Sequence, residues 1–185
     1  MTARKAKPAA RLSVRSSAPS LAGSLEANAF LLGLVFNQGQ NAERSWQAPR
    51  ELFERLGTSS VTSISKLDEA ALASTIAASP ALHRFPRTMA RYVLGTTRLL
   101  CTRYRGDARK IWQPSVGLKD LLDRLSDFPG IGSHKAEVGV FFLTMEHQVA
   151  VKDDGTRIDL KASCPRLVAK FFPLDDHIEL PLIGK

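Results

Sequence analysis

Phe128-Pro129-Gly130-Ile131-Gly132-Ser133-His134-Lys135-Ala136 restricts the fold more than any other stretch of this 185-residue chain. Ahead of it Leu118, Leu121, Leu122 and Leu125 recur at spacings of three and four, the signature of one apolar helix face. Pro129 ends that helix, and Gly130 and Gly132 supply a tight reversal with two positions free of Cβ. A second helix follows at once, with Ser133 placed to cap it and Val138, Val140, Phe141, Phe142 and Leu143 to bury. The product is a hairpin of two helices whose second N-terminus presents unpaired N–H groups, an anion site beside Lys135 that suits phosphate. A plain Pro-Gly turn in a helical bundle has the same local chemistry.

The rest of the chain predicts helices and almost no strand. Leu25–Phe36 is apolar all round, as expected of a central buried helix. Asn41 suits the cap of a short helix reaching Trp46, and Pro49 the start of another that Gly57 stops. Ser65 with Asp68 marks a helix start, and that helix runs through Leu72 and Ile76 to Ser79. Pro80 and Pro86 bracket a loop, after which Met89, Val93, Thr96 and Leu100 mark a longer helix to Tyr104. A last helix holds Leu167, Val168, Phe171 and Phe172. The Asp-Asp-Gly turn within 149–160 allows a small β-hairpin. No repeat of solenoid period is present.

The formal net charge is +8, but Arg4, Lys5, Lys7, Arg11 and Arg15 place five of those charges in residues 1–24, which hold no acid. That Ala-, Ser- and Pro-rich segment is expected to be a disordered tail, able to touch DNA without sequence preference or simply to stay solvated. Residues 25–185 form the expected single domain, with an excess of only +3. Nothing is long and apolar enough to span a bilayer, and no apolar segment follows the basic N-terminus as in a secretory signal. Cys101 and Cys164 are too few for a disulfide framework or a zinc site, which fits a reducing cytoplasm.

The hairpin, with Pro-Gly-Ile-Gly and an alanine four places after the second glycine, resembles that of the endonuclease III/alkyladenine-glycosylase superfamily of base-excision repair enzymes. Leu31-Leu32-Gly33-Leu34-Val35-Phe36-Asn37-Gln38 is similar to that superfamily's buried helix ending in a DNA-facing glutamine. Ala81-Leu82-His83-Arg84-Phe85-Pro86 and Tyr104-Arg105-Gly106-Asp107-Ala108 look like an uncharacterised bacterial branch of it. The resemblance covers residues 25–172. It implies an all-α helix-hairpin-helix bundle and a monomer bound to double-stranded DNA. Gly130, Ile131, Gly132, Ser133 and Lys135 would meet the backbone, and Gln38 would fill the gap left by an extruded base. Many relatives carry a four-cysteine iron–sulfur loop. Two cysteines cannot supply one, so no metal or cofactor is expected.

Catalysis in this superfamily uses a carboxylate beyond the hairpin helix, which stabilises charge developing at the sugar and can activate water. The resemblance favours Asp154 for that role, with Asp153 second and Asp159, preceded by Ile158, as the rival. An exposed Asp-Asp-Gly turn is the other account of the same residues. Strand-cleaving relatives hold a Schiff-base lysine two residues after the second hairpin glycine. Here that position is His134, and Lys135 sits about 100° further round the helix. The implied enzyme is therefore a monofunctional DNA glycosylase, with His134 lining the base pocket. The alternative is a non-catalytic helix-hairpin-helix DNA-binding protein. Trp46, Tyr92 and Trp112 could stack a base or fill the core, and Arg84, Arg87 and Arg91 could touch backbone or water.

Overall fold

The computed structural model describes residues 21–172 and 179–184. Residues 1–20, which hold the basic tail, and Asp175-Asp176 lie outside them. Ten helices follow in order among the described residues: α1 (Ser24–Phe36), α2 (Ala42–Leu56), α3 (Val61–Ile64), α4 (Glu69–Ala77), α5 (Pro86–Tyr104), α6 (Arg109–Trp112), α7 (Leu118–Ser126), α8 (Ser133–Phe141), α9 (Leu160–Ser163) and α10 (Pro165–Phe171). A π-helical turn, Phe142–Glu146, prolongs α8. The fold is all-α.

α1 is apolar all round because it serves two cores. Phe30, Leu31, Leu34 and Val35 join the hairpin residues Leu121, Leu125, Phe128, Ile131 and Val140. Ala29, Leu32 and Phe36 join Leu52, Ile76, Met89 and Val93 of α2, α4 and α5. Each such side chain contributes about 1.5–3 kcal/mol of hydrophobic transfer, offset largely by ordering entropy. The buried Asn28 of α1 donates from Nδ2 to Gly106 O (3.0 Å) and accepts at Oδ1 from Ala108 N (2.8 Å). Those bonds pin the turn between α5 and α6, and with it the far end of the helix that backs the hairpin.

Several local expectations need correcting. Pro49 does not open a helix; it lies inside α2, which runs unbroken from its Asn41 cap to Leu56. The buried face Ser45, Ala48, Pro49, Leu52 and Phe53 is continuous across it, so tertiary burial outweighs the missing N–H. Asp68 rather than Ser65 starts α4, accepting from Ala71 N (2.9 Å), while Ser60 caps the extra turn α3. The expected last helix is α10, which holds Leu167, Val168 and Phe171 and ends one residue before Phe172, and a short turn not foreseen, α9, precedes it.

No hairpin forms over 149–160. Lys152 instead bridges in parallel to Gly117 on one side and Ile183 on the other. Lys152 N donates to Val116 O (2.8 Å), and Asp153 N to Ile183 O (3.1 Å). The partners are distant in sequence, which local turn chemistry could not foresee.

Candidate functional site

Between α7 and α8 the chain turns at Gly130, whose φ of 80° is in the left-handed region. A Cβ there would lie 2.5 Å from Tyr92 Cδ2, so the turn is pressed against α5 and only glycine fits. Gly132 differs: nothing lies within 4 Å of its notional Cβ, and its face is open. Gly132, not Ser133, is the N-cap of α8, and no side chain caps it. The first main-chain bond of α8 runs from Ala136 N to Gly132 O (3.0 Å). The amides of Ser133, His134 and Lys135 therefore have no acceptor within the helix and face outward at its positive end.

These groups border an open groove of about 680 Å³, formed by residues 126–135 with Gln38 and Tyr92. The hairpin and the end of α1 thus converge. His134 is exposed at the rim. Lys135 is half-buried and turned inward, its Nζ donating to Val35 O (3.0 Å) at the C-terminal end of α1. Burial lowers its pKa to about 8.

The buried His83 holds the Gln38 segment from behind. Its Nδ1 accepts from Phe85 N–H (3.0 Å), so the ring proton resides on Nε2, which donates to Gln38 O (2.8 Å). Burial, aided by Arg84 and Lys135, lowers the His83 pKa, which keeps the ring neutral. Gln38 N closes onto Phe36 O (2.7 Å), whereas the Gln38 side-chain amide has no hydrogen-bond partner among the described residues. A fixed backbone presents an uncommitted amide.

None of the three candidate aspartates borders the groove. Asp154 is exposed; its Oδ2 accepts from Lys119 N (2.9 Å) at the start of α7 and its Oδ1 from Thr156 N (3.0 Å). Those amides, chiefly Thr156, lower its pKa. Asp153 accepts from Gly155 N (2.9 Å) and Arg157 Nη1 (3.0 Å), and Asp159 caps α9 through Ala162 N (3.0 Å). The carboxylate that does line the groove is Asp127, paired with Arg103. Sequence reasoning passed over Asp127, although its place just before Phe128-Pro129 was a usable signal. Trp112 is core, and Trp46 stacks on Phe30 with ring centroids 5.4 Å apart. Tyr92, at the groove, is the aromatic of the three that a ligand could meet.

Among the described residues no group of three or more His, Cys, Asp or Glu is arranged to hold a metal ion, and no helix is long and apolar enough to cross a membrane.

No protein-family model and no curated protein matches this chain. Among solved structures it is similar to a trapped endonuclease III–DNA covalent intermediate, an estranged-adenine complex, at 20% identity and a TM-score of 0.45, over 60% of this chain and 45% of that one. A non-covalent endonuclease III–DNA complex is similar at 18% identity and a TM-score of 0.47, over 69% of this chain and 50% of that one. A thermostable thymine-DNA glycosylase is similar at 14% identity and a TM-score of 0.46, over 69% and 51%. The chain spans about half the length of these structures.

Proposed function

We propose that the chain is a base-excision-type DNA-binding protein that grips duplex backbone with the α7–α8 hairpin and receives a displaced nucleotide in the groove beside Gln38. The observation that carries this is the meeting, in one open groove, of uncapped α8 amides with the side-chain amide of Gln38, which has no partner among the described residues. The amides suit phosphate oxygens, and the glutamine suits the gap left in a base stack. Backbone contacts of this kind hold and orient a duplex without reading its sequence.

The activity that belongs to this reading is monofunctional removal of a base, with water as nucleophile and His134 at the position where lyases hold an amine. Asp154, Asp153 or Asp159 must then leave its backbone amides to reach the sugar. A second reading, DNA binding without hydrolysis, is favoured by the bonds those carboxylates make. A panel of lesion-bearing duplexes, treated with alkali after incubation to reveal abasic sites, separates the two. Base release without a borohydride-trapped adduct supports the monofunctional enzyme. Tight binding with no release across the panel supports the binding protein. Absence of salt-sensitive binding to any duplex removes both.

A further inference from the structure

The N-terminal end of α5 carries charge that the fold itself does not use. From Ala70 to Gly106 the chain has six arginines and no lysine, aspartate or glutamate, although residues 25–185 together have an excess of only three positive charges. Two of the six serve the structure: Arg98 donates to Ser65 O (3.0 Å), and Arg103 pairs with Asp127. Arg84, Arg87 and Arg91 are exposed, and no carboxylate pairs with any of them among the described residues. Arg87 and Arg91, four residues apart, share one face of α5.

This arrangement is unfavourable in isolation. Like charges at that spacing repel, and the positive end of a helix favours anions over cations. An anionic partner would reverse both effects. That all three are arginine narrows the partner, since the planar guanidinium matches the geometry of phosphate oxygens in a way that ammonium does not.

Their position adds the rest. α5 backs the hairpin, because Tyr92 packs against Gly130 and a Cβ on Gly95 would lie 2.8 Å from Pro129 Cγ. At its other end, the Arg84 guanidinium lies over the Phe85 ring (4.7 Å) and beside Gly39, whose notional Cβ would be 2.7 Å from Nη2. Gln38 borders the groove while Gly39, the next residue, lies against Arg84. Lys135, bonded to Val35 O, and Arg84, against Gly39, therefore put one cation just before the Gln38 segment and one just after it in the chain.

We propose that Arg84, Arg87 and Arg91 form a second phosphate-binding face, which grips duplex backbone alongside the Gln38 segment and the hairpin. This rests on the duplex-binding reading above. Phosphates held by this face as well as by the α8 amides keep the backbone in place while a nucleotide leaves the stack.

The test compares two double charge reversals of equal size, Arg87→Glu/Arg91→Glu on α5 and Lys161→Glu/Arg166→Glu on α9 and α10, by titrating a labelled duplex between about 50 and 200 mM salt. Every phosphate that the protein no longer neutralises makes the negative slope of log K against log salt shallower by about 0.9. The α5 pair is expected to make the slope shallower by about two and the control pair to leave it nearly unchanged. The melting temperature of the α5 variant should stay close to the parent's, because two glutamates repel at that spacing as two arginines do while the one at position 87 suits the helix N-terminus. Equal changes in both variants would reduce the effect to net charge and overturn the proposal, as would an unchanged slope in a folded α5 variant. Wild-type chain that shows no salt-dependent binding would instead fail the duplex-binding reading itself.

Discussion

The hairpin and the aspartate segment present opposite solutions to the same local problem. At the start of α8 the orphan amides are left open, because Gly132 has no side chain to fold back on them. At 153–159 each carboxylate is spent on backbone amides: Asp154 on Lys119 and Thr156, Asp153 on Gly155, Asp159 on Ala162. Unsatisfied donors at an exposed helix end are available to a ligand. A carboxylate that already accepts two amides has less to gain from substrate. On the proposed function, binding would use donors that the hairpin already presents, whereas any chemistry from the aspartates requires movement.

The largest test of that contrast is Gly130→Val. A β-branched residue at φ 80° and 2.5 Å from Tyr92 should cost about 3 kcal/mol or more, from backbone strain and overpacking together. Denaturant midpoints should show it, and duplex affinity should fall with the fold. Gly132→Ala, with open space around it, should cost only about 1 kcal/mol, the ordinary penalty of alanine at an N-cap. Equal losses in the two would contradict the description of the turn.

Next comes His83→Ala, which leaves the Gln38 carbonyl and the Phe85 N–H without their partner and should cost about 1–3 kcal/mol. With 2-aminopurine beside an abasic site in the duplex, the brightening that reports unstacking should weaken more than the overall affinity does. A proportional loss of both would assign His83 to stability alone.

Lys135 supplies a pH test. Its folded pKa is lowered to about 8, below the ordinary lysine value. Between those values the unfolded chain holds more protons, so stability should rise with pH across that window. Phosphate favours the charged amine, so duplex affinity should move the other way, falling as pH rises past about 8. Lys135→Arg should remove the affinity step. Its persistence in that variant would place the titrating group elsewhere.

The smallest effect is expected for Asp154→Asn. Asparagine caps a helix nearly as well, so melting temperature and duplex affinity should stay close to the parent's. The stability that Asp154 adds through its lowered pKa is present at neutral pH and lost as pH falls through that folded value. Loss of base release at unchanged affinity would show that the carboxylate leaves Lys119 and Thr156 to reach the sugar.

What could be read from sequence followed the range of the interactions. The hairpin was legible because Pro129, Gly130 and Gly132 dictate local geometry through their own backbones. The burial of α1 was legible from its unbroken apolar run, but the meeting of its end with the hairpin depends on tertiary packing and was not. The aspartates were not, since what a carboxylate does depends on which amide the tertiary fold brings to it; Lys119 N is 35 residues from Asp154. Lys135 follows the same rule, because its bond to Val35 spans 100 positions. Ser133 failed as a cap for a local reason: the chain enters α8 one residue earlier.

The most direct measurement is the affinity of the folded double variant Gly132→Arg/Lys135→Glu for duplex DNA at about 0.1 M salt, where screening is moderate. An arginine side chain at the open face would crowd the amides, and a glutamate would repel the phosphate they await. Binding should weaken alike for every duplex, whatever its sequence, because backbone contacts do not depend on base identity. Affinity equal to the parent's in a variant with unchanged melting temperature would remove the hairpin from the interface.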